Sequence, residues 1–473
     1  MPALRSRPNV IIYLIDDMDL ERVPFYPRLD YGAAMQLDVH FKGHACHVGA
    51  ANCTYSAPHI ESIGQRGVRF LGAHVPVSVC TPSRYSLLTG RLPSSAPFYS
   101  GTKAGRLDSE GAVDVSWNTF MTQGGGNPCT HAQLAAGRIG CVRRAQTIGD
   151  MLQPASYFTG FVGKWHLSST PAAMHAYMRG EHGRLSTEPN TTAAEGAEMA
   201  ARQRGWEEAR DELHAEVRGA GFNYSGALSV GNVVDLAPVG LAVHNLEWET
   251  DAALRFLRLA EGHVARGGAA AWYLHMCTTL THSPGPSSGI CADPKLSAGG
   301  ILREAPQVQP PRSDVMARTG GRRCGWEEYD AVHALWLDDS VGALLHELRR
   351  VGSEEDTLFT VLADHQRLGK GTLYQGVRTP HVLQWPARLR GGAVLPASWL
   401  VTSLDLAATV LDAAGLAPPP GAPPRHNAGG ALDGRSLLPL LTSDEAAAMV
   451  TDDGGGGGGG GWSSLSLSSL APT

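Results

Sequence analysis

The sequence predicts an α/β protein in which a largely parallel central sheet is sandwiched by helices. Val10-Ile11-Ile12-Tyr13-Leu14-Ile15 is a continuous apolar run rich in β-branched residues, as expected of a parallel strand buried on both faces. Further apolar runs at Phe158–Val162, Ala269–Met276 and Thr357–Leu362 repeat the pattern. Between them lie helical patterns, of which the stretch from His244 through Leu257 is amphipathic and suited to a layer packed on a sheet. The 473 residues suffice for one large α/β domain or two smaller ones.

The bulk properties exclude some classes. Charged residues make up 18% of the chain and the net charge is −6, so no basic footprint argues for nucleic acid. No apolar run approaches the length of a membrane span. The 57 glycines and 30 prolines point to many loops in a folded enzyme. None of the eight cysteines stands in a Cys-x-x-Cys pair, and His40, His44, His47, Cys46 and Cys53 are too irregularly spaced for a zinc knuckle. Asn52, Asn190 and Asn223 sit in Asn-x-Ser/Thr sites that would accept glycans in a secretory lumen.

Taken in order, the elements share one feature. The first strand stops at Asp16-Asp17, two adjacent carboxylates where open α/β sheets place their ligands. Their repulsion is costly unless a cation lies between them. A short helix from Ala57 and a strand over Gly67–Phe70 lead to Cys80, where a helix carrying Leu87-Leu88 begins with its positive end toward any anion. Thr147–Leu152 is helical. The strand Phe158–Val162 runs into Gly163-Lys164-Trp165-His166-Leu167, where a lysine and a histidine two apart in extended chain project to the same side. Residues 193–218 read as exposed helix. The strand ending at Met276 leads to the loop Thr281-His282-Ser283-Pro284. After a helix around Asp339–Leu345, the strand Thr357–Leu362 ends in Asp364-His365, with Lys370 five residues on, and a helix over Ser403–Leu411 follows. In a parallel sheet these polar strand ends lie along one edge, so one crevice collects them.

The stretch Cys80-Thr81-Pro82-Ser83-Arg84-Tyr85-Ser86-Leu87-Leu88-Thr89-Gly90-Arg91 resembles the sulfatase signature. Gly163–Leu167, Asp16-Asp17, Asp364-His365, Gly369–Gly376 and Asp433–Pro439 continue the likeness, which covers about residues 7–440. The resemblance implies an alkaline-phosphatase-like fold and a sulfuric ester hydrolase. It also implies that Cys80 is oxidised to formylglycine (3-oxoalanine) by a formylglycine-generating enzyme. Asp16, Asp17, Asp364 and His365, with the modified Cys80, are the implied ligands of a divalent metal, calcium with magnesium as competitor. Cys80, Arg84, Lys164, His166, His282 and Lys370 are the implied catalytic residues. His282 is assigned to protonate the leaving oxygen and His166 to take the diol proton. Lys164, Lys370 and Arg84 offset charge on sulfate and alkoxide.

The implied partner is a small-molecule or glycan sulfate ester, and the implied location is the secretory pathway or cell exterior. No signal region precedes the first strand, so the start reads as mature or truncated. The family's small C-terminal antiparallel subdomain is expected to be missing, with a low-complexity tail over 441–473. Insertions at 30–57, 94–144, 170–218 and 285–325 are expected to overhang the crevice as loops. Gln366 stands where the family usually has glycine, and the segment to Lys370 is short. A residue forced into positive φ there would be strained. Two alternatives stay open, a phosphatase or phosphonate hydrolase of the same superfamily and an inactive pseudo-sulfatase.

Overall fold

Strand β1 (Asn9–Ile15) lies in the middle of an eight-stranded sheet, and every one of its residues is buried. The structure, a computed structural model, describes residues 7–20, 57–93, 138–139, 142–143, 147–167, 170–190, 192–285, 289–319, 329–367, 369–371, 376–419 and 431–443. The other central-sheet strands are β2 (Val68–Phe70), β3 (Tyr157–Lys164), β4 (Tyr224–Ser229), β5 (Ala271–Cys277), β6 (Thr357–Ala363), β7 (His381–Gln384) and β8 (Ala393–Leu395). Their order is β8-β2-β7-β6-β1-β5-β3-β4. The five neighbours β6, β1, β5, β3 and β4 are parallel, while β7 is antiparallel to both β6 and β2. This is the largely parallel, helix-covered α/β sheet that the apolar runs predict.

Residue alternation along β1 divides the core in two. Val10, Ile12 and Leu14 face a layer containing Leu87, Leu88 and Ile148. Ile11, Tyr13 and Ile15 face the other layer, with Phe256, Leu257, Leu344 and Leu345. The helices of these layers are α1 (Pro58–Gln65), α2 (Cys80–Thr89), α3 (Ala172–Met178), α4 (Ala193–Ala209), α5 (Asp211–Gly219), α6 (Leu246–Ala265), α7 (Tyr329–Val351) and α8 (Asp405–Ala413). Helix α6 closes on β3 so tightly that a Cβ on Gly160 would lie 2.3 Å from Phe256 Cδ2. Only glycine fits there. Among the described residues, no helix is long and apolar enough to cross a membrane.

Several expectations are corrected. Residues 170–218 are largely helical, forming α3, α4 and α5 instead of a loop. The stretch 193–218 is two helices, broken after Ala209, with Trp206, Leu213 and Val217 buried against the body of the fold. A capping box at Thr192 and Glu195 starts the first of them. Strand β4 went unrecognised because Ser225, Gly226 and Ala227 give it little apolar or β-branched character. Most of the 30–57 and 94–144 insertions, with their His and Cys residues, and residues 444–473 of the tail lie outside the described residues. Cys80 and Cys277 are free thiols, and Cys291 is disulfide-bonded.

Helix α1 has alanine at its N-cap and no local side-chain cap. The missing acceptor comes from α7, where Asp338 Oδ2 and Oδ1 accept from the backbone N–H groups of His59 (3.2 Å) and Ile60 (2.8 Å). A buried carboxylate on two orphan donors thus joins helices far apart in sequence. Asp338→Ala is expected to lower unfolding free energy by about 1–2 kcal/mol, read as a lower midpoint in urea denaturation. An unchanged midpoint would show that the bond contributes nothing.

Candidate active site

The carboxyl ends of β1, β3, β5 and β6 deliver the predicted residues to one place. Register explains it: Ile15 pairs with Ala363 and Leu14 with Cys277, so Asp16-Asp17, Asp364-His365 and the 278–284 loop leave the sheet side by side. The Asp364 backbone N–H donates to Ile15 O (2.9 Å), and the Thr281 N–H donates to Asp16 O. Asp17 has a left-handed backbone (φ 61°), which turns its side chain back over the sheet edge. Its N–H donates to Asp364 Oδ1 at 3.1 Å.

Cys80 enters from above as the first residue of α2 and is fully buried. Its Sγ lies 3.1 Å from His365 Nε2 and 3.5 Å from Lys370 Nζ. Burial opposes ionisation of the thiol, but Lys164 and His365 outweigh it and hold its pKa well below the ordinary value. Lys370 Nζ also reaches both oxygens of Asp17 at 3.0 and 3.1 Å. Lys164 Nζ donates to Asp16 Oδ2 (2.5 Å) and Asn232 Oδ1 (2.6 Å). His282 Nε2 lies 3.5 Å from Asp17 Oδ2; burial lowers its pKa, but Asp16, Cys80 and Asp17 together raise it above the ordinary value. The side chains of His282 and Lys370 are 12% and 29% exposed, so the site opens to solvent on their side.

Two expectations about geometry change. Lys164 and His166 both lie beside Cys80, but strand parity does not bring them there. The strand ends at Lys164 with an irregular register against β4, and His166 is left-handed at φ 53°. Gly163 permits the turn, since a Cβ there would lie 1.9 Å from Cys277 O. The His166 ring is buried beside Cys80, and burial followed by the Lys164 charge pushes its pKa down to about 4. Arg84 does not face an open crevice. Its Nε and Nη2 lie 3.0 Å from Asp364 Oδ2, and Nη2 is 3.4 Å from Asp16 Oδ1. Its Nη1 donates to Lys164 O at 3.2 Å. Arg84 therefore fixes the carboxylates.

The strain expected at Gln366 is absent. Positive φ falls on Gly369 and Gly371, which flank Lys370, and Gln366 is not among the positive-φ residues. Its Oε1 accepts from the Leu20 N–H and its carbonyl from His365 Nδ1, so it supports the site. Asn232, in the turn that follows β4, was missed because β4 leaves no clear trace in the sequence.

Within the donor group the carboxylates of Asp16 and Asp364 are the ligands that suit a hard divalent cation. One ligand atom from each of Asp16, Cys80, Asp364 and His365 lies within 4.8 Å of the others. Asp16 Oδ1 is buried and accepts no hydrogen bond among the described residues. Burial raises the pKa of Asp17, and that of Asp364 to about 7, so full ionisation of this group is costly without a cation.

A family profile described as Sulfatase matches residues 8–190. Human arylsulfatase A is 25% identical over 477 positions, which cover 93% of this chain and 68% of the relative. The uncharacterized Escherichia coli sulfatase YdeN is 24% identical over 463 positions, covering 93% and 67%. Among solved structures, Ps i-CgsB in complex with k-i-k-neocarrahexaose is alike in fold, with a TM-score of 0.51 and 18% identity over 92% of this chain and 76% of that one. The matched segment holds the first strand, the Cys80 helix and the Lys164–His166 turn that build the site, and over residues 8–190 the chain is similar to the sulfatase family.

Proposed function

We propose that this chain hydrolyses a sulfate monoester, with Cys80 matured to formylglycine as nucleophile and a divalent cation, calcium or else magnesium, bound at Asp16, Asp17, Asp364 and His365. The observation that carries the reading is Cys80 Sγ at the start of α2, within 3.5 Å of both His365 Nε2 and Lys370 Nζ and beside the carboxylate cluster. Converted to formylglycine, this residue would supply a hydrated aldehyde: one hydroxyl would displace the alcohol by attack on sulfur as the ester S–O bond breaks, and deprotonation of the other would then break the C–O bond to sulfate and restore the aldehyde. A bound cation supplies Lewis-acid polarisation of a sulfate oxygen.

The chain's own residues do the rest. The N-terminus of α2 and the ammonium groups of Lys164 and Lys370 neutralise the sulfate oxygens, and such charge stabilisation often contributes more to catalysis than any other effect. Arg84 holds Asp16 and Asp364 in place. His282, at the solvent side, protonates the leaving oxygen. His166, buried beside Cys80 with its pKa lowered by burial and by Lys164, accepts the proton from the nucleophilic residue. The disulfide at Cys291 supports a secretory or extracellular location, where formylglycine-generating enzyme acts on eukaryotic sulfatases. The substrate is a small-molecule or glycan sulfate ester.

Mass spectrometry of the Cys80 peptide from a secretory host is expected to show formylglycine. An intact thiol, in a host that modifies other sulfatases, would favour the inactive alternative. With paired aryl sulfate and aryl phosphate substrates, kcat/KM should favour the sulfate, and a clear phosphate preference would overturn the reading. Asp364→Asn should cut kcat at least about a hundredfold, and chelation should abolish activity until calcium or magnesium is restored. Turnover unaffected by either treatment would remove the metal from the scheme.

A further inference from the structure

A second buried polar chain runs behind the loop that carries His282. Glu249 on α6, Thr279 after β5 and His244 ahead of α6 are all at most 3% exposed. His244 Nε2 lies 3.2 Å from Pro284 O, and His244 Nδ1 lies 3.0 Å from Thr279 Oγ1. Thr279 Oγ1 in turn lies 3.2 Å from Glu249 Oε1.

The donor inventory restricts the protons in this chain. Pro284 O can only accept, so Nε2 of His244 carries hydrogen. A neutral His244 then has a bare Nδ1, which takes the single Thr279 hydroxyl proton. The contact between Thr279 and Glu249 is then a hydrogen bond only if Glu249 is protonated and donates. The other closed pattern has ionised Glu249 and cationic His244. Both patterns hold one proton between the two residues, and burial without solvent selects the one free of separated charge.

We propose that Glu249 is a protonated carboxylic acid that, through Thr279, fixes His244 as the neutral Nε2–H tautomer, and that His244 is a positioning residue for the His282 loop. Burial acts on both groups in this sense, raising the Glu249 pKa to about 8 and lowering that of His244 to about 3. The Thr279 backbone N–H and the Arg84 charge favour ionisation of Glu249, while burial, the largest influence, and Asp16 oppose it. His244 faces the His282 ring, which disfavours a second cation, and Asp16, which favours one. The positioning role rests on His282 being the acid of the proposed reaction; the proton assignment does not.

Two measurements test it. The infrared difference between the wild-type protein and Glu249→Gln at neutral pH should contain the carbonyl stretch of a protonated carboxyl group. An ionised carboxylate band in its place overturns the proton assignment, whether or not the protein cleaves sulfate. His244→Phe keeps the ring volume and loses both bonds. On alkyl sulfates with poor leaving groups it should lower kcat by roughly tenfold to a hundredfold with KM little changed. On activated aryl sulfates, which need little protonation, it should lose far less. His244→Gln, which keeps a donor toward Pro284 O, should recover part of the loss and serves as the test variant if His244→Phe does not fold. Equal losses on both substrates overturn the positioning role. A wild-type protein that cleaves neither ester removes the proposed activity and the positioning role together, and leaves the infrared result to decide the proton assignment.

Discussion

Three carboxylates brought to one buried edge of a parallel sheet are the constraint on which the rest of this structure depends. Asp16, Asp17 and Asp364 leave adjacent strands at neighbouring positions, and low-dielectric surroundings make their mutual repulsion severe. The fold answers with cations placed from separate elements: Arg84 from α2, Lys164 from the end of β3, and Lys370 from a glycine-flanked turn. Each is bound to a carboxylate within 3.0 Å. Such a cluster cannot lose one partner without leaving a buried charge uncompensated.

The same constraint explains the local backbone. Asp17 and His166 both adopt positive φ without being glycine, a conformation that is sparsely populated and clusters at functional sites. In each case the turn takes the chain out of the sheet and back over its edge, which regular strand geometry would not allow. Glycine is used where neighbouring backbone comes closer still, as at Gly163 against Cys277. The parallel strands and the two apolar layers serve as a rigid support for these few irregular residues.

Behind the site the polar groups form closed hydrogen-bonded chains. Gln366 ties the Asp364-His365 turn to Leu20, and Glu249, Thr279 and His244 tie α6 to the loop that carries His282. Such buried hydrogen-bonded chains tie the loops of the site to the body of the fold.

The strand ends were legible in the sequence because a fully buried parallel strand must be apolar throughout and its polar stop marks the edge of the sheet. From that rule alone Asp16-Asp17, Lys164, His282 and Asp364-His365 can be assembled in one crevice, and the motif around Cys80 marks the residue proposed as nucleophile. Asn232 was not legible, because small residues in β4 erase the apolar run that would have announced the strand leading to it. The role of Arg84 was not legible either, since helical spacing places it near Cys80 but does not say that Asp16 and Asp364 capture its guanidinium. Nor could sequence show that Gln366 is free of strain, which depends on where the chain spends its positive φ. Local pattern determined which residues reach the edge of the sheet. Tertiary structure decided which partner each one meets, because those partners come from strands and helices hundreds of residues apart.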